Sequence, residues 1–143
     1  MTKLKLINMS VLSAIVGMSL VADAGTSDTQ VVNVSLTTYS TTFDPATFRS
    51  GKVTFIIKNE ANDMVHEIRI VKTDLPLDKL PLERDGSVDE DSTQFTTIAS
   101  AEDLDPGKSR AVTVELEAGR YVYFCNKHNH YLIGMRGEFH VQP

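Results

Sequence analysis

A single cysteine, Cys125, is all the thiol this chain of 143 residues contains. One thiol cannot close a disulfide within its own chain, so the core must hold without such a staple. Basic charge is also in short supply: 14 Lys and Arg stand against 19 Asp and Glu, a formal net charge of −5. No nucleic-acid partner is expected, because phosphate backbones demand clustered positive charge. Internal repeats, low-complexity tracts and methionine- or histidine-rich tails are missing. Long apolar runs are missing too, outside the first two dozen residues.

There, Lys3 and Lys5 precede an apolar run over 6–21, and Ala22, Asp23 and Ala24 form an AxA cleavage pattern before Gly25. The run is interrupted by Asn8, Ser10, Ser13 and Ser19 and falls short of the ~20 apolar residues a membrane helix needs. It reads as a secretory signal peptide over residues 1–24. Residues 25–143 are then one mature domain, periplasmic or secreted, with no membrane span after cleavage and expected to be a monomer. Losing the leader removes two lysines and one aspartate, which moves the net charge to −6. An exported free thiol is open to oxidation, so Cys125 must be buried, paired with another chain, or bound to something.

The mature region is rich in Val, Thr, Phe, Tyr and Ile in short runs broken by Gly, Pro, Asp and Asn, the pattern of an all-β protein. Strands are expected near 29–37, 52–58, 66–72, 94–99, 110–116, 120–125 and 136–142. In one of them Val112, Val114 and Leu116 alternate with Ala111, Thr113 and Glu115, giving one buried and one wet face. Turn residues lie at Ser50-Gly51, Pro106-Gly107 and Ala118-Gly119. Together these favour a Greek-key β-sandwich or barrel. The one long irregular stretch is 73–93; its LDKL core is expected to form a short helix. The acidic part, 83–91, lacks the ligand spacing of a calcium loop and reads as a solvated loop.

Metal-ligand residue types converge near the C-terminus. His130 follows Cys125 by five positions and Met135 follows His130 by five, while His66 stands 59 residues before Cys125 at the start of a strand. Two imidazoles, a thiolate and a thioether suit copper in an electron-transfer site. A loop between the last two strands can deliver three of these groups to one point, with His66 arriving from a neighbouring strand end.

The segments NEANDMVHE and YVYFCNKHNHYLIGM resemble the two metal-binding motifs of the cupredoxins, the plastocyanin/azurin family of type 1 (blue) copper proteins. GRYVYFC resembles the strand that precedes the family's cysteine, and FDPATFRSGKVTFIIKN resembles its second and third strands. The resemblance implies a sandwich of about eight strands with one copper ion held by His66, Cys125, His130 and Met135. It also raises a competitor, since His128 stands three residues after Cys125, a spacing some cupredoxins use. His130 is preferred because HYLIGM keeps the family's spacing from histidine to methionine; His128 remains an alternative or extra metal contact. Lys127, His128 and Asn129 depart from the apolar residue, proline and glycine that many relatives carry there. Glu67 departs from the asparagine that often follows the first histidine and ties the ligand loops together; Glu67, Asn59 and Asn126 are the possible supports of the ligand loops. His140 is expected to face solvent.

Four protein ligands leave no open coordination position, which argues against an enzyme and for outer-sphere electron transfer. The expected function is therefore an exported one-electron carrier cycling between Cu(II) and Cu(I). The alternative is a periplasmic copper-binding or copper-tolerance protein that holds or delivers the metal without shuttling electrons. A redox partner, a cytochrome or a copper enzyme, is expected to dock near His130 on Met64, Val65, Leu132 and Ile133. The acidic 83–91 stretch would steer a basic partner toward it.

Overall fold

The computed structural model describes residues 28–143, so the expected leader over 1–24 lies outside the described residues. Eight strands follow one another: β1 (Gln30–Leu36), β2 (Thr41–Asp44), β3 (Gly51–Asn59), β4 (His66–Lys72), β5 (Thr96–Leu104), β6 (Ser109–Leu116), β7 (Gly119–Phe124) and β8 (Arg136–Val141). They form two four-stranded sheets, ordered β2-β1-β3-β6 and β5-β4-β7-β8. The β1–β3 pair is parallel and all other neighbours are antiparallel. The chain changes sheet between β3 and β4, again between β5 and β6, and again between β6 and β7, the crossings of a β-sandwich.

Alternation explains the first sheet. Val53, Phe55 and Ile57 of β3 point inward beside Val32, Val34 and Leu36 of β1, and all six are buried. Ile68, Ile70, Tyr121, Phe139 and Val141 meet them from the second sheet. Burying each large side chain contributes roughly 1.5–3 kcal/mol. Cys125 and Met135 belong to this same core, so the chemistry-bearing end of the sandwich is continuous with its packing.

Strand β4 does not alternate: His66 through Val71 are all buried. Its second face is covered by a separate cluster of Val71, Leu80, Val88, Phe95, Val122, Phe124 and Tyr131, to which the 73–93 excursion contributes Leu80 and Val88. The short helix expected at LDKL does not form. Leu77 and Asp78 make a turn closed by a bond from Lys79 N to Pro76 O at 3.0 Å. The buried Tyr131 hydroxyl donates to the Leu77 carbonyl (2.7 Å) and accepts from Leu80 N–H (3.3 Å), taking backbone groups that a helix would have paired internally. The acidic part is likewise more than a solvated loop, because Val88 is buried and bridges Leu82.

Two strands differ from expectation. The four-residue β2 is an edge strand with no fully buried position, too short and too wet to show a period. Strand β5 runs on from Ala99 to Leu104, and its pattern is hidden by an irregularity: His66 pairs with Leu104 and Ile68 with Ala101, so Glu102 and Asp103 are accommodated opposite Glu67 alone. Asp103 takes φ +50 there, the left-handed conformation of a bulge. The remaining expected strands lie within one or two residues of their places. Among the described residues, no helix is long and apolar enough to cross a membrane.

Candidate metal centre

Antiparallel pairing places the start of β4, the end of β7 and the start of β8 at one end of the second sheet. Arg69 pairs with Phe124, and Phe124 with Arg136, so His66, Cys125 and Met135 all emerge there. His66, Cys125 and His130 form a group whose ligand atoms all lie within 4.8 Å of one another. Cys125 Sγ stands 3.1 Å from His130 Nδ1 and 3.7 Å from His66 Nδ1. Met135 is buried to 1% exposure in the core that also holds Cys125. His128 is exposed and outside the group, and His140 is exposed as alternation requires.

The loop after Cys125 is closed by its own backbone. Cys125 N–H donates to Met135 O, His130 N–H to Lys127 O, and Met135 N–H to His130 O. Asn129 at φ +62 and Gly134 at φ +102 make the tight reversals, a conformation asparagine tolerates and glycine prefers. The expected departure from the usual loop, Lys127-His128-Asn129, thus forms an ordered turn.

The three supports named from sequence make different contacts. Asn59, fully buried at the end of β3, donates from its side-chain amide to the carbonyls of Met64 and Leu104, both at 2.7 Å, and accepts from Ala61 N–H at 3.0 Å. It shapes the loop that delivers His66 and fixes it to the strand partner of His66. It does not reach the cysteine loop. Asn126 reaches the 73–93 excursion instead, through Val88 and Glu90. Glu67 is the residue that joins the two ligand segments. The β4–β7 ladder ends at Arg69–Phe124, and the Glu67 N–H, beyond it, donates to Cys125 Sγ at 3.5 Å. Its carboxylate meets Lys127 Nζ at 3.2 Å, and Lys127 also pairs with Asp103 on the bulge.

Burial acts on every titratable donor of the group. Burial, and then the charge of His130, lowers the His66 pKa; burial lowers that of His130, followed by the charges of Lys127 and His128. A lowered pKa favours the neutral ring, which keeps a lone pair available. Nε2 of His66 is buried with no hydrogen-bond partner among the described residues, and a proton placed there leaves Nδ1 as an acceptor facing the sulfur. Burial pushes the Cys125 thiol up, and Glu67 up as well. Two donors bound to one ion at about 2.0–2.3 Å stand roughly 3–4 Å apart. The sulfur–nitrogen separations of 3.1 and 3.7 Å fit that requirement without rearrangement.

Sequence reasoning missed Arg69 and Glu90 and treated Lys127 only as a departure. A signal was available for Arg69, an arginine inside the otherwise apolar, non-alternating run of β4.

A family model described as copper binding proteins, plastocyanin/azurin family, matches residues 23–142. No curated protein sequence matches the chain. Among solved structures, reduced auracyanin from Roseiflexus castenholzii is similar at 26% identity and TM-score 0.59, over 80% of this chain and 98% of that one. Auracyanin A from Chloroflexus aurantiacus is similar at 22% identity and TM-score 0.59, over 80% and 99%. Rusticyanin from Thiobacillus ferrooxidans shares 18% identity at TM-score 0.59, over 80% and 77%.

Proposed function

Because the chain belongs to the plastocyanin/azurin family of copper-binding proteins, we propose that it is an exported one-electron carrier whose copper is held by His66, Cys125, His130 and Met135. In this reading residues 1–24 are a cleaved leader and 25–143 the working domain. The observation that carries the proposal is the group of buried His66, buried Cys125 and half-buried His130, with ligand atoms within 4.8 Å of one another. Copper in such a soft, mixed sulfur and nitrogen set supplies a one-electron couple.

The chain's own residues do the rest. His66, Cys125 and Met135 are buried and keep water from the centre, while His130 is partly exposed and offers the route to the surface. The backbone bonds of the ligand loop and the Glu67 N–H on Sγ hold the donors in place before any metal arrives, so a change of oxidation state requires little movement. Val65, Leu132 and Ile133 are exposed and Met64 half-buried near His130, a small apolar patch for a redox partner, with the acidic excursion steering a basic one such as a cytochrome.

Adding Cu(II) to the mature protein is expected to produce an intense visible thiolate-to-copper band with narrow copper hyperfine splitting, lost in Cys125→Ser. A pale solution that Cys125→Ser does not alter refutes the ligand set. A reversible one-electron wave in voltammetry supports the carrier; tight Cu(I) binding with no reversible couple supports a protein that holds copper instead.

A further inference from the structure

The residue after Cys125 is bound to the 73–93 excursion, which carries none of the proposed metal ligands. Asn126 Oδ1 accepts from Val88 N–H at 2.6 Å, and its amide donates back to Val88 O at 3.0 Å and to Glu90 Oε1 at 2.8 Å. A single side chain therefore satisfies both backbone groups of Val88, as a neighbouring strand would. Val88 is itself buried at 1% exposure in the second cluster. The other oxygen of Glu90 accepts from Arg69 at 2.5 Å, and Arg69 also donates to Glu102 at 3.1 Å. This path runs from the residue beside the cysteine, across β4, to the β5 bulge that precedes Leu104, the strand partner of His66.

A second contact presses the same two segments together. A Cβ added at Gly86 would lie 2.8 Å from both Asn129 Oδ1 and Leu132 Cδ1, so the excursion's backbone sits directly against the ligand loop. Gly86 takes φ +83, where a side chain is strained in any case.

We propose that Asn126 is a positioning residue for the metal, and that through it the 73–93 excursion is a working part of the centre and not a surface insertion. It rests on the copper reading above. Asn126 fixes the turn that carries Cys125 to His130, and the excursion supplies the rigid surface it is fixed to. Without the clamp the turn between these donors gains freedom, and the pocket loses its fit before it loses its fold.

The test uses the full mature chain loaded with Cu(II) and with Cu(I), competed against a chelator. Asn126→Ala is expected to retain copper about 10–100-fold more weakly than the parent, the usual effect of removing a contact behind a ligand. Its visible band and hyperfine splitting should change with it. In the metal-free protein the Val88 amide should exchange faster, while the strand amides stay protected. Asn126→Asp combined with Glu90→Gln keeps the net charge and reverses donor and acceptor between the two side chains; it is expected to retain copper better than Asn126→Asp alone. That comparison also decides the matter if Asn126→Ala does not fold. A parent with a Cys125-dependent band, beside an Asn126→Ala variant of identical spectrum and copper retention, overturns the clamp and leaves the copper reading standing. A parent without such a band overturns both.

Discussion

The backbone N–H of Cys125 donates to the carbonyl of Met135 at 2.9 Å, and the N–H of Met135 donates to the carbonyl of His130 at 2.9 Å. Three proposed donors are thus bound to one another through the main chain, independently of the groups they present. The thioether of Met135 can be changed without opening the loop. Met135→Leu conserves volume in the core, so it should cost less than about 1.5 kcal/mol in denaturant unfolding of the metal-free protein. If Met135 holds the copper, the reduction potential should rise, because losing a donor destabilises the more highly charged oxidised ion. An unchanged potential in voltammetry removes Met135 from the ligand set.

Lys127 lies between two carboxylates that differ in depth. The side chain of Glu67 is 10% exposed and that of Asp103 is 76% exposed. Truncating Lys127 leaves the Glu67 carboxylate buried without its counter-charge, so Lys127→Ala should destabilise the metal-free protein by about 1–3 kcal/mol. Glu67→Gln, which removes the charge instead of stranding it, should cost less. Equal effects in urea unfolding would show that the pair is held in place without contributing.

Tyr123 lies across Gly137, its partner on β8. A Cβ at Gly137 would meet the tyrosine hydroxyl at 2.2 Å, and the ring is held from its other sides by Phe43 and Phe139. Gly137→Ala is therefore expected to cost about 1–3 kcal/mol by overpacking. The cost should largely vanish in a Tyr123→Leu background, as a double-mutant cycle by thermal unfolding will report.

The two histidines of the ligand loop separate by position. His128 is exposed, whereas His130 Nδ1 is 3.1 Å from the sulfur. His128→Ala should keep the visible band and hyperfine pattern of the copper-loaded protein, and His130→Ala should lose both. The reverse outcome moves the ligand by two residues.

Most strands were legible because their inward positions alternate, as at Val53, Phe55 and Ile57. The proposed donors could be picked out because Cys125, His130 and Met135 are close in the chain and of scarce residue types. What joins the donors was not. Glu67 and Lys127 are residues of ordinary surface type separated by 60 positions, and the bulge that sets Asp103 beside Lys127 erases the period of the strand that carries it. The excursion was hidden for a related reason. Leu75, Leu77, Leu80 and Val88 follow neither a helical nor a strand period, since each enters the core from an irregular loop held by Tyr131 and Asn126.

The spacing of the donors along the chain bears on how far copper can stabilise the fold. Cys125, His130 and Met135 span eleven residues, so they stay near one another even when the chain is unfolded, and soft sulfur can hold Cu(I) there. A ligand that also binds the unfolded state stabilises the native one only by the difference in affinity. In the proposed centre that difference resides in His66, brought from 59 residues away by the pairing of β4 with β7, and in the closed pocket around it. Copper therefore protects this sandwich from unfolding by what the fold adds to the loop, and removing His66 should take most of that protection away while leaving the chain able to bind metal.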